Sequence, residues 1–293
     1  MKKVVIAGGT GFIGSYLTQR FEESGFKVQI VSRDPEHISW KPVDLIESID
    51  GAELVINLAG KSINCRHTET NKKSIIDSRV NTTIWIGNAI LACQKPPVLW
   101  VNGSACGIYE SSFDHPMTED ETELGNDFLA DVVGKWEKVF FGFRLKGTRK
   151  IALRTSVVLG KHGGALKPLV LLSRLGLGGK QASGAQVFSW IHIEDYFQIL
   201  LYLIEKTEIQ GIINCTSPGP VTNKSFMSTI RKKLGIPFGI PAPAFAVNLG
   251  AKLIGTEPQL IVTSTYVIPK RLMDSGFKFI YPDSDKALDN LLK

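Results

Sequence analysis

The chain has few cysteines and no pattern among them. Its 293 residues include four cysteines, at positions 65, 93, 106 and 215, and no two of them form a Cys-x-x-Cys pair. Neither a disulfide framework nor a zinc site is therefore expected, and we predict no metal site. Because persistent disulfides belong to oxidising compartments, so few scattered cysteines indicate a reduced, cytoplasmic location.

Long apolar runs and basic blocks are also absent. Only four apolar residues separate Lys3 from Gly8, which is too short for the core of a signal peptide. The longest apolar stretch, around residues 197–204, is far below a membrane-spanning length. The net charge of +6 is dispersed, so we expect neither a membrane nor a nucleic-acid partner. The dispersed charge is either an ordinary solvated surface or a positive field that favours a phosphorylated ligand.

Apolar segments and helical patterns alternate along the first two-thirds of the chain. We predict strands at residues 3–7, 27–32, 53–58, 98–102, 150–155 and 211–215, and helices after residue 11 and at 72–93, 127–145 and 193–206. Near-continuous Val, Ile and Leu strands that alternate with helices are typical of a parallel sheet covered on both faces. The predicted fold class is α/β, a Rossmann doubly wound parallel sheet with a small, mostly helical C-terminal lobe.

The last third of the chain is punctuated by prolines, from Pro218 to Pro282. After the strand at 211–215 no further strand–helix–strand unit is evident. We therefore predict a Rossmann domain over residues 1–220 and a small substrate or lid domain over 221–293. Residues 163–190 are predicted to leave the first domain and reach toward the second.

A glycine-rich turn joins the first strand to the first helix, and its glycines have the spacing Gly-x-x-Gly-x-x-Gly. Gly8 permits a tight turn, Gly11 lets a pyrophosphate approach the backbone, and Gly14 lets the helix pack close to the strand. Phosphates would then meet free N–H groups at the helix N-terminus. The cofactor-binding residues predicted in this turn are Gly8, Thr10, Gly11, Phe12, Ile13 and Gly14.

The end of the second strand bears on which nicotinamide cofactor would bind. A site for NAD usually has an acidic residue here, which binds the ribose 2′-hydroxyl. This chain has Ser32 and Arg33, and a guanidinium can bind a 2′-phosphate through two hydrogen bonds. We therefore predict that NADP(H) is favoured over NAD(H). The alternative is that Arg33 is a solvated loop residue and that Asp34 contacts the ribose.

Two features of the sequence resemble the short-chain dehydrogenase/reductase superfamily in its extended form. The first is the glycine spacing itself. The second is Asn57-Leu58-Ala59-Gly60 at the end of a strand, which resembles a superfamily segment that lies beside the cofactor. The resemblance implies that these four residues also bind the cofactor.

The superfamily's usual catalytic pair, Tyr-x-x-x-Lys, is absent from the whole chain. Where the helix that carries it should fall, Lys135 is present but Asp131 occupies the tyrosine position. The segment over residues 101–109 resembles the superfamily's serine segment, with Ser104 as the serine, although a register one residue away is possible. The predicted catalytic residues are Ser104, Tyr109 and Lys135. Lys135 is predicted to contact the cofactor ribose or, alternatively, to be a solvated helix residue.

Longer strings narrow the resemblance to one family. Ser189-Trp190-Ile191-His192 and Pro220-Val221-Thr222-Asn223 are two of them, and others extend to the C-terminus. Together they resemble the atypical "epimerase family" of the superfamily, which contains the SDR family 39U member and YfcH-like proteins and has a C-terminal DUF1731-type domain. The resemblance implies NADP(H) binding and a degenerate Tyr-x-x-x-Lys pair.

The function implied is that of an NADP(H)-dependent oxidoreductase or nucleotide-sugar epimerase-like enzyme, with an unknown small polar molecule as its substrate. A non-catalytic NADP(H)-binding regulator or interaction protein, for example one linked to division, is the alternative, and a homodimer is possible. The sequence leaves two possible roles open for each of two other residues. Arg79 faces a phosphate or acidic substrate or forms a surface ion pair, and His192 is an acid/base or a structural histidine.

Overall fold

A computed structural model describes residues 1–253, 255 and 257–293 of the chain. Its strands are β1 (Lys3–Ala7), β2 (Lys27–Val31), β3 (Leu54–Asn57), β4 (Leu99–Ala105), β5 (Arg149–Thr155), β6 (Val157–Gly160), β7 (Gly163–Gly164), β8 (Val187–Phe188), β9 (Trp190–His192), β10 (Gly211–Cys215) and β11 (Val221–Thr222). Its helices are α1 (Phe12–Glu23), α2 (Pro42–Ile49), α3 (Glu69–Ala92), α4 (Phe128–Gly142), α5 (Leu166–Arg174), α6 (Ile193–Glu205), α7 (Asn223–Lys233), α8 (Ala244–Leu253), α9 (Gln259–Val262), α10 (Lys270–Asp274) and α11 (Ser284–Leu292).

The central sheet has six strands in the order β10-β5-β4-β3-β1-β2, and every neighbouring pair is parallel. From β1 the chain moves outward to β2 and then returns to place β3 on the other side of β1. In open α/β sheets, ligands bind outside the carboxyl ends of the strands where the strand order reverses in this way. The predicted fold class is confirmed, and the order of the strands places the candidate site between β1 and β3.

Helices cover both faces of the sheet because successive residues of its buried strands point to opposite faces. Val4 and Ile6 of β1 belong to an apolar cluster with α1 and α6. Val5 and Ala7 belong to a second cluster with α2, α3 and α4. All four side chains are fully buried, which explains why β1 is apolar at every central position.

The sequence-based prediction missed helix α2. Pro42 occupies its first turn, and Leu45 and Ile49, one turn apart, are its buried apolar residues. Proline is favoured in this position because its missing N–H would have no partner there. At eight residues the helix is short for detection by periodicity, although the proline and the Leu–Ile spacing were available as signals.

Residues 157–192 pack against the C-terminal part of the chain. β8 pairs antiparallel with β11, and α5 contacts α7. Trp190 and Phe226 belong to one buried cluster, to which α5, α7 and α11 all contribute. The domain boundary expected at residue 221 stays a prediction. Among the described residues, no helix is long and apolar enough to cross a bilayer.

Candidate nucleotide-binding site

The glycine turn is packed so tightly that side chains are excluded at two positions. Gly8 has a φ of +83°, and a Cβ on it would lie 2.9 Å from the backbone nitrogen of Ala59. A Cβ on Gly14 would lie 2.3 Å from the Gly8 carbonyl oxygen and 2.7 Å from the Gly9 Cα. The turn after β1 therefore touches the segment after β3 directly, at the point where the strand order reverses.

The N-terminus of α1 opens at this turn with free backbone donors. Its N-cap is Gly11, so no side chain caps the first turn. Within the described chain, the N–H groups of Phe12, Ile13 and Gly14 donate to no backbone acceptor. Unsatisfied donors and the positive end of the helix dipole both favour an anion. This combination can hold the phosphates of a nucleotide.

Phe12 contributes to this site through its backbone, since its side chain is engaged elsewhere. Its ring lies on the hairpin formed by β6 and β7. A Cβ on Gly163 would be 2.5 Å from Phe12 Cδ2, and one on Gly160 would be 2.7 Å from Phe12 Cζ. The glycine turn is thus braced by the β6–β7 hairpin.

At the end of β2, the two candidate cofactor residues have different environments. Ser32 is 8% exposed, and its hydroxyl accepts a hydrogen bond from the Asp34 N–H at 2.9 Å and lies 3.1 Å from His37 Nδ1. Arg33 is exposed and has no side-chain partner in the described part of the chain. The Asp34 carboxylate accepts the Glu36 N–H at 3.1 Å and so shapes the turn locally. Of these three residues, Arg33 alone has a cationic side chain, and that side chain is exposed to a 2′-phosphate.

Asn57 shapes the segment that follows β3. Its amide is fully buried and donates to Asn102 Oδ1 at 2.8 Å and to Thr83 Oγ1 at 3.2 Å. Its own Oδ1 accepts the Ala59 N–H at 3.2 Å. Asn57 therefore fixes the course of residues 58–60 beside the glycine turn. The backbone of the segment after β3, residues 58–60, therefore lies next to the candidate site.

Ser104 belongs to a buried polar cluster that the sequence did not suggest. Its hydroxyl donates to Glu137 Oε1 at 2.5 Å. Arg154 donates to the same carboxylate twice, from Nε at 2.9 Å and from Nη2 at 2.8 Å. The side chains of Arg154 and Glu137 are 3% and 10% exposed. Glu137 could have been noticed, since Val133, Glu137 and Phe140 share one buried face of α4.

Tyr109 is also committed to internal contacts. It is 6% exposed, and its hydroxyl donates to Asn214 Oδ1 at 2.8 Å. The Arg154 guanidinium carbon lies 4.9 Å from the centre of its ring. Burial raises the pKa of Tyr109 above its ordinary value, so the phenol keeps its proton.

Lys135 lies on the exposed side of α4, where its ammonium donates to Asp131 Oδ2 at 2.6 Å. Both side chains are about half exposed, so this is a surface ion pair of the solvated helix. Asp131 is thus partnered by Lys135 at the helix surface, and the catalytic role of Lys135 stays a prediction.

Two aliphatic side chains of α4 lie against the segment that follows β4. Val133 packs in a buried cluster with Tyr109, and a Cβ on Gly107 would lie 3.7 Å from Leu129 Cβ. Leu129 and Val133 are four residues apart, the spacing of the missing Tyr-x-x-x-Lys pair. Neither side chain is ionisable, so these two residues offer no proton donor to that segment.

Comparisons with known proteins agree on one family. The NAD dependent epimerase/dehydratase family matches residues 4–128, and a domain of unknown function, DUF1731, matches residues 242–291. Epimerase family protein SDR39U1 of Mus musculus is 36% identical over 99% of both chains. Epimerase family protein YfhF of Bacillus subtilis is 35% identical over 99% of this chain and 97% of its own. The chain belongs to this epimerase family.

Among solved structures, the human epimerase family protein SDR39U1 was crystallised with NADPH. It is 34% identical to this chain and superposes on it with a TM-score of 0.90. The match covers 99% of this chain and 98% of the human chain. A UDP-N-acetylglucosamine 4-epimerase from Bacillus cereus has a TM-score of 0.79 at 17% identity, a likeness that shows the fold alone. The family and the fold expected from the sequence are both confirmed.

In this epimerase family member, His192 is a structural residue. Its Nδ1 accepts the Glu194 N–H at 3.0 Å and so caps α6, and its Nε2 lies 3.2 Å from Asn290 Oδ1. The ring stacks on Tyr281 at 3.9 Å. Burial lowers the pKa of His192 to about 4, which keeps the ring neutral. An Nε2–H tautomer satisfies both contacts.

Proposed function

We propose that this chain binds NADP(H) in the crevice between β1 and β3 and acts as an atypical oxidoreductase or epimerase-like enzyme on a small polar substrate. The observation that carries the proposal is the α1 N-terminus, where N–H groups of Phe12, Ile13 and Gly14 donate to no backbone acceptor in the described chain. Those donors lie at the point of the sheet where ligands bind. The relative crystallised with NADPH supports the choice of ligand.

The residues fit a dinucleotide in three ways. Gly8 approaches Ala59 without an intervening side chain, so backbone atoms border the crevice. The N–H groups at the start of α1 would donate to the phosphates, and Arg33 supplies an exposed guanidinium. Arg33 would pair with a 2′-phosphate, which selects NADP(H) over NAD(H). A bound nicotinamide would supply hydride transfer, while the protein contributes binding and orientation.

A specific observation favours the second candidate, a cofactor-binding regulator without chemistry. Leu129 and Val133 of α4, which lie against the segment after β4, carry no ionisable group. Ser104 and Tyr109 donate their hydroxyl protons to internal acceptors. A catalytic version of this protein must therefore take its proton donor from elsewhere in the cleft or from the substrate.

A thermal-unfolding titration with NADPH, NADH and ATP tests the proposal. Ligand at about 100 times its dissociation constant stabilises a fold by about 2.7 kcal/mol. We expect the largest shift with NADPH, and a selective loss of that shift in Arg33→Gln. Absence of any shift with NADPH and NADH would refute nucleotide binding, and a larger shift with NADH would refute the role of Arg33.

Turnover separates the two candidates. Oxidation of NADPH by any compound in a panel of carbonyls, or redox-neutral epimerisation of a nucleotide sugar, supports the enzyme. Tight NADPH binding without turnover, together with a protein partner whose affinity changes with NADPH, supports the regulator. The cytoplasmic location, the homodimer and the lack of a nucleic-acid partner stay predictions.

A further inference from the structure

Arg79 lies behind the segment that borders the nucleotide crevice. This segment, residues 58–61, has the glycine turn on one side, where Gly8 approaches Ala59. On the other side is Arg79 of α3. A Cβ on Gly60 would be 3.3 Å from Arg79 Cγ, Cζ and Nη1, and Arg79 Nη1 donates to the Lys61 carbonyl at 2.9 Å.

The charge of Arg79 has no counter-ion in the described part of the chain. Its recorded partners there are two carbonyl oxygens, those of Lys61 at 2.9 Å and Ile75 at 3.0 Å. The nearest acid along the helix, Asp77, pairs with Lys73 at 2.7 Å. The surface ion pair that the sequence left open for Arg79 is therefore not formed.

The Arg79 guanidinium is enclosed by its two carbonyl partners and an aromatic ring, and is partly removed from water. It lies over the ring of Trp136, with Cζ 5.3 Å from the ring centre. Burial lowers the pKa of Arg79 to about 10, and no carboxylate offsets this effect among the described residues. Enclosed charges in proteins are normally paired, because an unpaired one keeps the full cost of its lost hydration.

One edge of the guanidinium remains available. Nη1 donates to the two carbonyls, whereas Nε and Nη2 have no hydrogen-bond partner among the described residues. Neither of these two nitrogens is one of the fully buried, unpartnered side-chain atoms of that part of the chain, so both retain some exposure. This edge has the geometry that binds a carboxylate or phosphate through two parallel hydrogen bonds.

We propose that Arg79 is a ligand-binding residue whose guanidinium pairs with a phosphate or carboxylate group bound beside residues 58–61. The location rests on the proposed function, since the crevice is where the nucleotide would lie. The anion has two possible sources, the diphosphate of the cofactor and an anionic group of the substrate. Both have the same chemistry, and they are separable by titration.

The variants are Arg79→Gln, which removes the charge, and Arg79→Lys, which keeps it without the planar pair of donors. Lys73→Gln is the matched control, because it removes one exposed cation from the same helix. NADPH is titrated first, at low and high salt. Inorganic phosphate is then titrated onto each protein, alone and saturated with NADP⁺. Thermal unfolding without ligand shows whether each variant folds, and a melting temperature within about 3 °C of wild type is required.

If the cofactor supplies the anion, Arg79→Gln weakens NADPH binding by about tenfold to a hundredfold and reduces its salt dependence, and Arg79→Lys does so less. If the substrate supplies it, NADPH affinity is unchanged and the NADP⁺-saturated variant loses phosphate binding that wild type has. The proposal is overturned if Arg79→Gln matches Lys73→Gln in both titrations. Failure of wild type to bind NADPH refutes the proposed function alone, since phosphate binding to the ligand-free proteins still tests Arg79.

Discussion

Replacing Gly14 by alanine tests whether the turn after β1 holds a nucleotide. The added Cβ would lie 2.3 Å from the Gly8 oxygen, 2.7 Å from the Gly9 Cα and 2.9 Å from the Gly9 carbonyl carbon. Uncrowded contacts between heavy atoms are about 3.5 Å or longer, so the shortfall is about 1 Å. All three atoms are backbone and cannot rotate away, so the turn itself must move.

A shift of this size displaces the amides that would bind phosphate. A hydrogen bond to a charged group contributes about 1.5–3 kcal/mol, and loss of one corresponds to about 10–150-fold in dissociation constant. Forcing an extra carbon into a packed position costs about 1–3 kcal/mol of folding free energy. Gly14→Ala should therefore lose NADPH affinity strongly while remaining folded.

Calorimetric titration with NADPH and urea unfolding measure the two effects separately. Gly134→Ala is the matched control, because that glycine lies in α4 and its added Cβ would meet nothing within 4 Å. It should bind NADPH like wild type and gain up to about 1 kcal/mol of stability from helix propensity. NADPH affinity within twofold of wild type in a folded Gly14→Ala protein would refute the assignment of the phosphates to this turn.

Three other predictions concern the residues around the site. Glu137→Ala leaves the buried Arg154 unpaired and should cost about 3–5 kcal/mol in urea unfolding, and a loss below 1 kcal/mol would contradict this. Tyr109→Phe removes one internal hydrogen bond and should cost about 1 kcal/mol with NADPH affinity unchanged, whereas a large loss of affinity would place the hydroxyl in the site. His192 has its pKa lowered from 6.5 to about 4 when folded, so the unfolded chain takes up the proton first as the pH falls. Wild type should therefore lose about 2–3 kcal/mol more stability than His192→Gln between pH 7 and 4.5, and parallel stability curves would refute the shift.

The six central strands were predictable because they are largely apolar runs, and β1, β3 and β4 are almost entirely buried. β1 and β5 have their predicted positions to within one residue. β4 runs three residues further than predicted, to Ala105, because its last residues are polar or small and lack the apolar signal. β6 to β9 were missed because they are only two to four residues long and are defined by pairing with distant segments.

The candidate nucleotide turn was readable for a related reason. Glycine spacing is a local property of the backbone, and the clashes at Gly8 and Gly14 are with atoms only a few residues away or on the adjacent strand end. Ser104 illustrates the opposite case. The residues next to Ser104 in the sequence do not reveal a partner for its hydroxyl. The acceptor, Glu137, is 33 residues away on α4.

The sequence by itself determined the α/β class, the family and the position of the candidate phosphate-binding turn, because these depend on residue spacing within single strands, helices and turns. Only the tertiary structure decided which polar groups are used up inside the protein and which remain for a ligand. Glu137 neutralises Arg154, whereas Arg79 meets only carbonyl oxygens in the described part of the chain. The physical reason is that the pairing of a charge depends on distances between residues far apart in the chain, and those distances exist only after the helices pack on the sheet.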